Sequence, residues 1–319
     1  MPLLKQSKIL FDNAHNEMLN INDDDFSEFK NLIQRLGFTI VDQTYDVINK
    51  DVLNNIDVFV IGNPISSYFS NVEINIIVDF VREGGNLLVI SEYGSDFLQK
   101  TNLNDLLGTN FGIFFEKNII KGIFDENQNC TSILSIQNFE DNKITNQLRE
   151  VIVGGTCSFI LNRLANPLLV LKGFEFWSEE YNSVTEKWVK EEQISSEKHG
   201  IVAAYREYGR GKIIALGDID IFTNDSNIGI NIQDNRKFIT NIFNWLIEPI
   251  KDSSVRFWAL DQLGTFQNDL KDIKLKINNL IETMTFLEER ISVLEYINKI
   301  QEEKKELSNV DNQKNSSTF

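Results

Sequence analysis

Two rhythms of apolar residues run through the first 125 positions. Short unbroken runs alternate with stretches where apolar residues recur every three to four positions. KILFDNA (8–14) starts as a strand and breaks at Asp12-Asn13. DDDFSEFKNLIQRLG (23–37) predicts a helix. Acids crowd its first turn, Phe26, Phe29, Leu32, Ile33 and Leu36 keep helical spacing, and Gly37 ends it. FTIV (38–41) is a second strand, and DVFVIGNP (57–64) a third, apolar without a break as a parallel strand buried on both faces must be. NVEINIIVDFVREGG (71–85) is a helix closed by a glycine pair, and NLLVISEYGSD (86–96) a strand followed by a turn. Alternation at these lengths predicts an α/β fold: a doubly wound, mostly parallel sheet with right-handed crossovers.

The middle of the chain, 119–210, carries weaker periodicity. IIKGIF, VIVGGTCSFIL, PLLVLKGF and GIVAAYREYG each suit a strand, and KITNQLRE (143–150) a short helix. FWSEEYNSVTEKWVKEEQISSEKHG (176–200) is polar and irregular, an exposed hairpin or loop. YREYGRGKIIALGD (205–218) is a hairpin turning at Gly209-Arg210-Gly211. IQDNRKFITNIFNWLIEP (232–249) is a helix with Phe238, Ile242, Phe243, Leu246 and Ile247 on its buried face.

The pattern then changes. Ala259, Leu263, Phe266, Leu270, Ile273, Ile277, Leu280, Met284, Leu287, Ile291 and Leu294 follow 4-3 spacing, and every one is apolar. A seam of about five heptads predicts an α-helical coiled coil. Asn298, the next seam position, is of the type that fixes register. The competing expectation is one long helix folded back on its own domain. These patterns divide the chain into an α/β domain (1–250), a coiled-coil helix (251–307) and a polar, disordered tail (308–319).

Composition narrows the function. Acidic residues outnumber basic ones 47 to 31, a net charge of −16, which disfavours phosphate backbones and anionic lipid as partners. Cys130 and Cys157 are too few for a disulfide scaffold or a four-cysteine zinc site and suit a reducing compartment. The N-terminus lacks the apolar stretch of a secretory signal, and no apolar run reaches the ~18 residues of a membrane span. The expectation is a cytoplasmic protein.

Ligands of doubly wound sheets gather beyond the carboxyl ends of the strands. Four segments leave polar residues there: 12–17, 62–64, 91–94 and 217–220. They nominate a polar rim of Asp12, His15, Asn63, Ser91, Glu92 and Asp218 as a candidate site for a small polar ligand. Ser91 stands where an elbow nucleophile would, but without a G-x-S-x-G frame, and a Ser91–His15 pair is the weaker alternative to simple satisfaction of backbone groups. Asp12, His15, Glu17, Asp218 and Asp220 are donors of metal-ligating type, yet no compact motif ties them together, so neither metal nor cofactor is assigned. Gly154-Gly155 lacks the Gly-Lys-Ser/Thr of a phosphate loop, and Cys157 reads as a small core residue. Asp234 and Asn235 read as a helix N-cap, and Trp177 and Trp188 as part of an exposed contact surface.

The order of these pieces resembles a known family. Asp-Asn-Ala-His-Asn-Glu follows the first strand and Gly-Asn-Pro the third, and Gly-Gly-Asn-Leu-Leu-Val-Ile-Ser-Glu-Tyr-Gly-Ser-Asp surrounds the fourth. Tyr-Gly-Arg-Gly-Lys-Ile-Ile-Ala-Leu-Gly-Asp and Asp-Asn-Arg-Lys-Phe-Ile-Thr-Asn-Ile-Phe-Asn-Trp-Leu close the run. Together, over roughly residues 5–250, they look like the GIFT domain. That domain is shared by gliding-motility and ABC-exporter accessory proteins and by an intraflagellar-transport complex-B subunit. The resemblance implies a class I glutamine-amidotransferase-like fold. The Cys-His-Glu triad of true amidotransferases does not carry over: Ser91 holds the elbow, no Gly-x-Cys-x-Gly occurs, and no histidine pairs with an acid near the Gly217–Asp220 turn. The expectation is therefore a non-catalytic scaffold subunit that joins itself or another protein through the seam, from Leu263 to Leu294. A carbohydrate-binding module at the rim is the alternative, and a hydrolase using Ser91 or a metal ranks last.

Overall fold

A computed structural model describes residues 6–44, 47–123, 130–190 and 200–250, and individual positions between 259 and 291. The chain divides into two compact units, Met1–Arg256 and Phe257–Phe319. His199, Leu294, Asn298 and the 308–319 tail lie outside the described residues.

In the first unit, β1 (Lys8–Asp12) leads through a 3₁₀ turn to α1 (Ser27–Arg35), then to β2 (Thr39–Thr44), β3 (Val58–Gly62), α2 (Asn71–Glu83) and β4 (Asn86–Ile90). Two short helices follow, α3 (Ser95–Gln99) and α4 (Leu103–Phe111). Seven strands succeed them: β5 (Ile113–Phe115), β6 (Asn118–Ile123), β7 (Cys130–Thr131), β8 (Ile133–Ile136), β9 (Val151–Gly154), β10 (Phe159–Leu161) and β11 (Asn166–Val170). The hairpin β12 (Phe176–Asn182) and β13 (Lys187–Lys190) precedes β14 (Ile201–Tyr208), β15 (Gly211–Leu216) and α5 (Asn235–Ile247).

The central sheet has seven strands in the order β11-β14-β15-β4-β3-β1-β2. Its pairings from β15 to β2 are parallel, while β14 joins β15 and β11 antiparallel. Every residue of β3, β4 and β15 is buried, as the unbroken apolar run of β3 requires. One face packs a continuous core in which Ile9, Phe11, Val58, Val60, Leu88, Ile90, Ile214 and Leu216 meet α1 and α5. Phe29 of α1 is its aromatic hub, 4.8 Å from Phe222, 5.9 Å from Phe243 and 6.1 Å from Phe11 between ring centres. The alternate set, including Leu10, Phe59, Leu87, Val89 and Ile213, is buried as well, and Ile74, Ile77, Val78 and Val81 of α2 are buried with it.

Helix ends follow local chemistry. Ser70 and Glu73 form a reciprocal capping box on α2, and Gly84, at φ 120°, ends that helix. Gly85 stays free of a Cβ because one would strike the Phe80 ring at 2.3 Å. The far end of α5 is closed by a buried lysine: Lys212 Nζ donates to the carbonyls of Trp245 and Glu248.

Several expectations are corrected. Residues 143–150 form turns, not a helix; Asn142 Oδ1 takes the Ile144 amide and Gln147 adopts φ 58°. The run 151–161 is not one strand. Gly155, at φ 66°, breaks it, so β9 pairs with β8 while β10 pairs with β5. Asp234 does not cap α5; its Oδ2 instead accepts the amides of Arg149 and Glu150 across the chain. The hairpin expected within 176–200 does form, as β12 and β13, and β12 also pairs with β6. Trp188 packs between Tyr93 and Tyr181, with ring centres 5.9 and 5.5 Å away. Among the described residues, no helix is long and apolar enough to cross a membrane.

In the second unit, the described positions from 259 to 291 are helical. Leu263, Phe266, Leu270, Ile273, Ile277, Leu280, Met284, Leu287 and Ile291 all lie on it, each between 49% and 63% exposed.

Candidate functional site

The six nominated residues stand where strand order placed them, at the carboxyl ends of β1, β3, β4 and β15 or just beyond. None is open to solvent: exposure runs from 0% for Asn63 and Ser91 to 5% for Glu92. They form two clusters of buried polar groups rather than an open crevice.

The first cluster follows β1. Asp12 closes the strand and turns the chain, its Oδ1 accepting the Ala14 amide at 2.9 Å. Its Oδ2 lies 2.7 Å from His15 Nδ1. His15 stacks on Phe69, ring centres 3.8 Å apart, and points Nε2 at Glu73 Oε1, 3.5 Å away. Glu73 is held in turn by the Ile48 and Ser70 amides on its two oxygens. Burial works against both charges here. The hydrogen bonds and charges of Asp12 and Glu73 nevertheless raise the His15 pKa, and hydrogen bonds from Ser70 and Ile48, with the His15 charge, lower that of Glu73.

Residues 16–19 then fold back across the end of β3. Leu19 N donates to Gly62 O, Met18 N to Asn63 O and Ile65 N to Asn16 O, and Glu17 bridges Pro64. The approach is so close that a Cβ on Gly62 would sit 2.4 Å from the Leu19 Cβ. This contact presses the Glu17 carboxyl into the strand ends, beside Asp12 and the Gly62 backbone. Burial and then the Asp12 charge push its pKa well above the usual carboxylate range. Neither oxygen completes a hydrogen bond of ordinary geometry. Asn63 Oδ1 and Ser91 Oγ are likewise buried without partners. Ser91 therefore has no base beside its hydroxyl, and the Ser91–His15 pair does not form.

Glu92, Asp218 and Asp220 make the second cluster. Glu92 accepts the Tyr93 and Ile219 amides, and Asp218 those of Gly154 and Asp220. Burial raises both pKa values strongly, helped for Glu92 by the Asp218 charge and for Asp218 by Asp220. These carboxylates fasten β9 and the turn after β15 to the end of β4. Beside them Cys157 is fully buried, and that burial raises its thiol pKa, the reverse of what a nucleophilic thiolate needs.

Glu17 and Glu73 are the residues that strand-end reasoning did not place in the site. Glu17 was visible only as a donor type near Asp12 and His15. Glu73 reads as an ordinary capping residue until β1 and α2 are docked.

Comparison with known proteins finds similar folds. The IFT52 GIFT domain family model matches residues 8–124. Among solved structures, the mmIFT52 N-terminal domain superposes with a TM-score of 0.59 at 18% identity, over 75% of this chain and 96% of that one. A cytoplasmic protein of Salmonella typhimurium LT2 gives 0.49 at 12% identity, over 76% of this chain and 100% of that one. The β-galactosidase of Rahnella sp. R3 gives 0.44 at 14% identity, over 75% of this chain but 31% of that one. No curated protein sequence matches. The mmIFT52 superposition establishes a shared fold, and residues 8–124 are similar to the GIFT domain of IFT52.

Proposed function

We propose that the chain is a non-catalytic assembly subunit, resembling a component of an intraflagellar-transport-type complex. In this reading its α/β domain is a rigid platform and its C-terminal helix is the joint. The observation that carries the reading is the seam. Nine large apolar side chains from Leu263 to Ile291 share a helical stripe and each is about half exposed. Such a stripe in 4-3 spacing is stable in water only when a second helix covers it. The family match supports a non-enzymatic role, and so does the strand-end chemistry, with Ser91 unpaired to a base and Cys157 buried as a neutral thiol.

The test is absolute mass in solution by light scattering, on the full chain and on the double variant Leu270→Asp/Ile277→Asp. An oligomer that falls to monomer, with unchanged circular dichroism of the α/β domain, supports a self-associating seam. A monomeric wild type leads to a pull-down with residues 251–305 as bait, where capture of a helical partner lost in the double variant supports a hetero-assembly. An oligomer whose mass the double variant leaves unchanged refutes the seam as the joint.

A further inference from the structure

Asp12, His15 and Glu17 are all buried, and their ligating atoms lie within 4.8 Å of one another. We propose that these three side chains form a divalent transition-metal site, of Zn²⁺ or Mn²⁺ class, built into the carboxyl end of the central sheet.

The donor set is one imidazole and two carboxylates, which suits such ions better than soft Cu⁺ or oxygen-seeking Ca²⁺. The surroundings are built as a metal site is built. With Asp12 beside Nδ1, the other ring nitrogen of His15 faces Glu73, the second carboxylate that orients a ligating histidine. Glu73 cannot swing away, because the Ser70 and Ile48 amides fix both its oxygens. Phe69 stacks on the ring and sets its plane.

Glu17 supplies the independent observation. It is 7% exposed, and both of its oxygens lack a partner. A buried carboxylate so placed is costly unless something positive meets it, and among the described residues no lysine or arginine pairs with it. The backbone of residues 16–19 is clamped to β3, so the side chain cannot relax outward to water. The second acidic cluster differs on this point, since Glu92 and Asp218 spend their oxygens on backbone amides. A cation between Asp12 and Glu17 satisfies the bare oxygens, and a proton shared by the two carboxyls is the competing arrangement.

Calorimetry separates the two. The full-length chain, stripped with a chelator, is titrated with Zn²⁺ and in parallel with Mn²⁺, and metal in the untreated protein is counted by mass spectrometry. The expected result is one ion per chain, with about 10–100-fold weaker binding in Glu73→Gln, the loss usual for an orienting partner. Binding should be weakened at least as far in Glu17→Gln. The Glu17→Gln variant also guards against a folding artefact. Without metal it removes one of two crowded carboxyls, so its unfolding midpoint should equal or exceed that of wild type. With Zn²⁺ only the wild type should gain stability. A folded wild type that takes up neither ion overturns the site, and so does a Glu17→Gln variant that binds as wild type does. Either outcome leaves the seam hypothesis untouched, because that is read from mass alone.

Discussion

Lys212→Met tests the fold at its most unusual buried charge. Lys212 is 2% exposed, and its ammonium lies 4.6 Å from the centre of the Trp245 ring. It donates to two carbonyls at the end of α5, where a helix has no acceptors' partners of its own. Hydrogen bonds to a charged group contribute about 1.5–3 kcal/mol each, and the cation over the ring about 0.5–1 kcal/mol. Two features reduce the loss. Trp245 O also accepts the Glu248 amide, and Glu248 is exposed enough for water to reach its carbonyl. The ammonium's own desolvation, which lowers its pKa, is recovered on substitution. Methionine keeps most of the stem's packing. The net expectation is a destabilisation of about 2 kcal/mol, or a fall of ~4–8 °C in Tm for a domain of this size. Urea unfolding of the full chain, followed by tryptophan fluorescence, reads it directly, because Trp245 is the stacked ring. The midpoint should fall with the slope unchanged. A variant as stable as wild type, or more so, would refute the reasoning and show that desolvation of the ammonium outweighs the cap.

Three further outcomes are expected. Asn235→Ala removes a fully buried amide that holds both backbone groups of Ile152 and the carbonyls of Ile228 and Gly229, and should cost about 3 kcal/mol in the same assay. Gly211→Ala places a Cβ 2.0 Å from Gly85 O and 2.3 Å from Val81 O, both backbone, so the sheet must shift; a loss of ~3 kcal/mol or failure to accumulate folded protein is expected in an expression and melting comparison with wild type. Glu92 and Asp218 keep protons in the folded state that the unfolded chain sheds above about 4.5 and 3.8, so stability should fall as pH rises past those values and level off only beyond the raised folded pKa values. Each group contributes a slope of at most ~1.4 kcal/mol per pH unit, and Glu92→Gln should flatten it in unfolding curves taken from pH 5 to 8.

The parts of the fold legible in sequence are those where burial on two faces or one helical face leaves a clean period. β1, β3, β4, α1, α2, α5 and the hairpin at Gly209 fall in that group, and strand ends then pointed to Asp12, His15, Asn63, Ser91, Glu92 and Asp218. The middle was not legible because its strands are short and serve separate small sheets. Ile113–Phe115 and Phe159–Leu161 have three residues each, too few to show a period, and one glycine at Gly155 sends a single apolar run into two sheets. At 143–150, helical composition loses to side-chain contacts made from elsewhere: Asn241 Nδ2 holds the carbonyls of Ile144 and Asn146, and Lys237 Nζ that of Gln147. The character of the site was hidden for a different reason. Strand-end logic names residues that share a rim, but whether the rim is open or closed depends on how residues 16–19 cross Gly62, which only the docked backbone shows.

The strand order also fixes a timetable. β4 is fully buried between β3, which precedes it by a few tens of residues, and β15, which follows more than a hundred residues later. At ~5–20 residues per second, a ribosome needs several seconds to make that stretch. Through that interval Leu87, Leu88, Val89 and Ile90 offer an unpaired parallel edge to whatever is nearby. Non-local parallel pairing is slow even once the whole chain is present. The late hairpin β14–β15 is thus the step that ends the chain's exposure to mispairing. A nascent chain stalled before Gly211 would be the form that chaperones hold.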